Sequence, residues 1–172
     1  IQKTIPINDI QNYLDGKYSE IGGYVAKAED VYSIKEYKDF VESLRLDYKD
    51  WNGNRPFPDE GNSYGIIRFK TNAIDEITIP YGEKFGGSNT DGPPCTLNGF
   101  TGSRNGITVP EYKFTNRTMP KDGAELYEVV NGKEKLVAIF DEEVQKFTPI
   151  NRRWVSWEKE HMLGIKGRNL DL

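Results

Sequence analysis

The residues best suited to chemistry gather in a glycine-rich stretch. Phe85 to Gly106 holds six glycines in 22 residues together with Pro93-Pro94. Its last part, Gly99-Phe100-Thr101-Gly102-Ser103-Arg104-Asn105-Gly106, places backbone amides, a hydroxyl and a guanidinium within eight residues. That combination suits an anionic ligand, because amide N–H groups and a guanidinium fork both donate to oxyanions. The competing reading is a surface loop rich in turn residues. Neither phosphate-loop spacing, G-x-x-x-x-G-K-[ST] or G-x-G-x-x-G between a strand and a helix, occurs. Arg68 lies mid-strand among Ile66, Ile67 and Phe69, where it needs a partner or a ligand, unless the face opposite Ile67 and Phe69 meets water. Arg117 falls in Phe114-Thr115-Asn116-Arg117-Thr118-Met119-Pro120, which on spacing alone is solvent-facing. Asp141-Glu142-Glu143 forms an acidic turn, a setting that is usually solvated. Gln145 alternates onto the face opposite Val144.

Scarcity narrows the options. One histidine, His161, rules out two-histidine acid–base chemistry and any multi-histidine metal site, and one cysteine, Cys95, rules out an internal disulfide. A net charge of −4 disfavours nucleic acid as a partner. The longest apolar run, Leu136 to Phe140, is five residues, against the roughly 20 of a spanning helix, so no membrane insertion is expected. The chain opens on Ile1 with no secretory leader ahead of the fold, as a piece of a longer protein would.

The elements that must position these residues follow from periodicity. Asn8 or Asp9 caps a short helix through Leu14, ended by Asp15-Gly16. Ser33-Ile34-Lys35-Glu36 reads as a capping box, with Ile34, Tyr37, Val41 and Leu44 forming one stripe through about Arg45. Tyr24-Val25, Tyr64 to Lys70 and Ile74 to Pro80 read as strands, and Trp51 to Asn62 as loop. Glu125 to Val130, Asn131-Gly132 and Leu136 to Phe140 make a hairpin, and Val144 to Thr148 extends it into a meander. The tail carries Arg152, Arg153, Trp154 and Trp157, with a short helix expected over Trp154 to Leu163. The expected class is α+β: N-terminal helices (1–50) followed by a mostly antiparallel twisted sheet (60–150) and a basic, tryptophan-bearing tail (151–172), all one domain.

From Ile79 to Thr148, about 70 residues, the chain resembles NAD glycohydrolase toxins of the tuberculosis-necrotizing-toxin type. The resemblance rests on Ile79-Pro80-Tyr81-Gly82, Phe100-Thr101-Gly102-Ser103-Arg104-Asn105-Gly106, Arg117-Thr118-Met119-Pro120, Leu126-Tyr127-Glu128-Val129 and Gln145. It departs where the family has a histidine, here near Glu125-Leu126, and where the family's glycine run is replaced by Asp141-Glu142-Glu143-Val144. More loosely, the chain is similar to C-terminal effector modules of polymorphic toxins.

The resemblance implies a toxin domain that cleaves NAD at the nicotinamide–ribose bond, with NAD as substrate and neither metal nor cofactor. Arg104, Arg117 and the Gly102-Ser103 region would take the pyrophosphate, Phe100 or Tyr112 the nicotinamide ring, and Glu143 or Gln145 the oxocarbenium-like transition state. It also implies secretion or delivery within a larger protein, action in a target-cell cytoplasm and a cognate immunity protein. Mono-ADP-ribosyltransfer is the near variant, using Arg68, Thr101 or Ser103, and Glu143 in chain order. A ribonuclease acting through the basic tail, and a non-catalytic binding module, are the readings from other classes.

Overall fold

The computed structural model describes residues 1–71, 74–81 and 93–150. In chain order its elements are β1 (Gln2–Ile5), α1 (Asp9–Leu14), β2 (Tyr24–Val25), α2 (Ala28–Val31), α3 (Tyr37–Leu44), β3 (Ser63–Arg68), β4 (Ile77–Thr78), β5 (Thr96–Leu97), β6 (Phe100–Thr101), β7 (Tyr112–Phe114), β8 (Glu125–Val130), β9 (Lys133–Asp141) and β10 (Lys146–Pro149). Five of the strands form an antiparallel sheet in the order β1-β3-β8-β9-β10. A smaller sheet, β2-β7-β4, is tied to it where Gln2 and Ala26 exchange backbone hydrogen bonds, and β5-β6 is a separate hairpin. The α+β class with a mostly antiparallel sheet is therefore the observed one. Among the described residues no helix is long and apolar enough to cross a membrane.

Both faces of β3 are covered, which explains its near-continuous apolar sequence. Ile67 faces Leu126, Phe140 and Phe147, and α1 closes that side with Ile10 and Tyr13. Gly65 lets it do so, because a Cβ there would collide with the side chains of Ile5 and Ile10. Tyr64 and Ile66 face the other way, under Phe40 and Val41 of α3, and the Phe40 ring stacks on Tyr64 at 4.3 Å. The expectation that the Arg68 face meets water is thus corrected: two residues along, that face is core.

Several boundaries also move. α3 begins at Tyr37 with an extended Glu36 before it and no side-chain cap, so Ser33 to Glu36 is not a capping box. The preceding α2 is the reason: Ile34 is buried in the turn that follows it, through Ile34 N–H to Val31 O, rather than starting the α3 stripe. Ile74–Glu76 is a 3₁₀ turn, leaving two residues for β4. The chain opens on a strand rather than a helix, because β1 adds to β3 with Gln2 opposite Arg68. Residues 82–92, which include the first part of the glycine stretch, and the tail (151–172), with its expected helix, lie outside the described residues.

Candidate functional site

A cavity of about 520 Å³ opens where β1 and β2 meet the end of α3 and the start of β5, within the 300–1,000 Å³ usual for small-molecule clefts. Its apolar wall is Val25, Ala26, Val31, Leu44 and Leu46. Its polar groups come from four separate parts of the chain: Gln2 and Lys3, Tyr24, Tyr48, and Glu111. Arg45 fixes the roof. It adopts the left-handed conformation that ends α3, pairs with Asp47 at 2.9 Å, and donates from Nη1 to the carbonyls of Pro94 and Gly102 at 2.9 and 3.0 Å. One side chain thereby locks the helix end to the β5-β6 hairpin, and Gly102 answers with its own N–H to Cys95 O. A side chain at Gly102 would overlap the Pro94 carbonyl, so only glycine fits this approach.

The cavity has a cationic side. Lys3 donates from Nζ to Tyr24 O at 3.1 Å. Burial pushes its amine down to about 8; Glu111 opposes that fall and Arg117 adds to it. Arg117 is exposed, its Cγ lies against Gly22 beside the cavity-lining Gly23, and its guanidinium has no hydrogen bond or ion pair with any described residue. Lys113 reaches over the Tyr24 ring, 5.3 Å from its centroid. Glu111 is the carboxylate among the lining residues. An anion with an attached flat ring matches this pattern: oxyanions at Lys3 and Arg117, the ring among the tyrosines and aliphatics.

No protein-family model, curated protein or solved structure matches the chain.

The residues expected from sequence are dispersed around it. Arg68 closes β3 and pairs bidentately with Glu134 at 2.6 and 2.7 Å. Arg104 pairs with Glu42 at 2.7 and 2.8 Å and approaches Asp47 at 3.2 Å, completing a four-charge cluster with Arg45. Phe100 sits half-exposed opposite Leu97 on the hairpin. Ser103 faces the Thr108 hydroxyl at 3.4 Å. Tyr112 pairs with the cavity residue Val25 across β7 and β2. Gly102, Tyr112 and Arg117 thus flank the cavity. Glu143 and Gln145 lie on the exposed β9-β10 turn, Glu143 in a shallow acidic depression with Asp122, Asp141 and Glu142. Neither is among the residues lining the cavity. Among the described residues no group of histidine, cysteine or carboxylate side chains could hold a metal ion.

Gln2, Lys3, Tyr24, Tyr48 and Glu111 carry no motif, and sequence reading passed over them. They meet only because strands far apart in the chain pair. The one available signal was Lys3 itself, a lysine in the short polar run Gln2 to Thr4.

Proposed function

We propose that the domain is a toxin-type effector enzyme that binds NAD in this cavity and hydrolyses its nicotinamide–ribose bond. The observation that carries the reading is a cleft that brings a buried amine, tyrosines, an apolar interior and one carboxylate together, with the exposed Arg117 beside it at Gly22. Arg117 and Lys3 hold the pyrophosphate. Tyr24 or Tyr48 packs on a ring. Glu111 faces the anomeric carbon, where a carboxylate stabilises oxocarbenium character. Nicotinamide departs with the bonding electron pair, which neutralises its ring. A water oxygen then bonds to the anomeric carbon and gives its proton to Glu111. The resemblance extends the proposal to delivery within a longer protein, action in a target-cell cytoplasm and neutralisation by a cognate partner. Transfer to a protein has less support, since Arg68 is committed to Glu134.

The test is incubation of the purified chain with NAD, following free nicotinamide by chromatography. Release is expected, with Glu111→Gln lowering the rate by about 100-fold or more, in the range of lost acid–base and charge stabilisation. Arg117→Ala raises KM about tenfold, the loss of one charge-assisted contact. Intact NAD after long incubation with equimolar protein ends the proposal.

A further inference from the structure

Lys3 is the lysine among the cavity-lining residues, and two other lining residues fix where its amine sits. Nζ donates to Tyr24 O at 3.1 Å, and a Cβ at Gly23 would stand 3.4 Å from it, so the glycine leaves that side of the amine bare. With one N–H spent on the Tyr24 carbonyl, the lone pair of the neutral amine is directed elsewhere. The side chain keeps accessible surface, so a ligand in the cavity can reach it.

A protonated amine has no lone pair to give, which makes most lysines poor nucleophiles at neutral pH. At the ordinary 10.5, about one molecule in 3,000 is neutral at pH 7. Burial pushes the Lys3 amine down to about 8; Glu111 and Asp9 oppose the fall and Arg117 adds to it. About one molecule in ten then carries the free amine at pH 7. A desolvated lysine of this kind, set against the apolar Val25 and Ala26, is the type that forms imines with carbonyl compounds.

We propose that Lys3 is an imine-forming lysine, and that the cavity takes an aromatic aldehyde carrying an anionic group. The Lys3 nitrogen bonds to the aldehyde carbon, and both amine hydrogens leave with the carbonyl oxygen as water, so no oxidant or reductant is consumed. Arg117, whose Cγ lies against Gly22 next to the cavity-lining Gly23, takes the anion. The aliphatic wall takes the ring. This inference stands on the cavity and its amine, and is independent of NAD as a ligand.

The test incubates the full chain at pH 7 with an equimolar amount of pyridoxal 5′-phosphate, an aromatic aldehyde bearing a phosphate. Borohydride then reduces the imine to a stable secondary amine, and peptide masses locate the label. Lys3 is expected to carry about tenfold more label than any other lysine, the gain of about 300-fold in free amine being discounted for restricted access and lower basicity. The preference is expected to vanish in urea, where the amine is solvated. Arg117→Ala, a change at an exposed side chain, is expected to lower Lys3 labelling several-fold with this probe and to leave labelling by pyridoxal, which lacks the phosphate, unchanged. Label spread evenly over the lysines, label concentrated on another lysine, or a Lys3 preference that survives in urea overturns the role of Lys3. Equal loss with both aldehydes in Arg117→Ala, or loss with neither, overturns the anionic ligand class.

Discussion

Replacing Lys3 by methionine is expected to make the protein more stable at neutral pH while removing its hold on NAD. The amine is pushed from its ordinary 10.5 to about 8, chiefly by burial. At about 1.4 kcal/mol per tenfold in proton affinity, that sets a ceiling of about 3 kcal/mol on the cost of keeping the ammonium folded at pH 7. The side chain keeps some accessible surface and a hydrogen bond to Tyr24 O, so a discounted figure of about 1 kcal/mol is more realistic. Methionine is of similar reach and suits the neighbouring Val25 and Ala26. Below pH 8 both folded and unfolded chains carry the proton on Lys3, and the cost is fully present. Between pH 8 and 10.5 the unfolded chain binds more protons than the folded one, so wild-type stability rises with pH. Urea unfolding at pH 7, 8, 9 and 9.5 therefore shows Lys3→Met ahead by about 1 kcal/mol at pH 7, with the gap narrowing as the pH rises above 8. Staying at or below 9.5 keeps clear of the buried tyrosines such as Tyr13, which burial pushes up to about 12. A variant no more stable than wild type at pH 7, or a gap that ignores pH, refutes the reasoning.

Two further outcomes are expected. Gly102→Ala forces a methyl group into the Pro94 carbonyl oxygen, a backbone atom that cannot swing aside, and should lower the urea midpoint by the equivalent of about 1–3 kcal/mol. Gln145→Gly removes a non-glycine residue from φ 53° on the β9-β10 turn; stability should rise by up to about 1 kcal/mol, with nicotinamide release unchanged, whereas a drop in release would return Gln145 to the reaction.

Local signals in the sequence carried the parts of the fold that local forces decide. Asn131-Gly132 marked its hairpin because both residues sit at positive φ, 49° and 71°, as the tight turn requires. The α1 boundaries and the inward stripe of Tyr37, Val41 and Leu44 were equally readable. β1 was not, since four residues gain strand character only by pairing with β3 some sixty positions later. The same holds for the cavity. Arginine count pointed to Arg68, Arg104 and Arg117, but only packing decides which guanidinium meets a carboxylate: Glu134 takes the first, Glu42 the second, and the third is left beside Gly22. Glu143 was legible as part of an acidic turn, whereas Gln145, read within a strand from Val144, belongs to that turn because β10 begins only at Lys146, and a turn at the end of a meander projects away from the strands' covered faces.

Cys95 is the one thiol in the chain, exposed and on the cavity wall. The native sequence therefore carries a built-in attachment point that needs no mutagenesis and has no competitor elsewhere in the protein. A small thiol-reactive fluorophore placed there reports from one address, so occupancy of the cleft could be read optically, and a library of thiol-bearing fragments could be screened against that wall by mass alone.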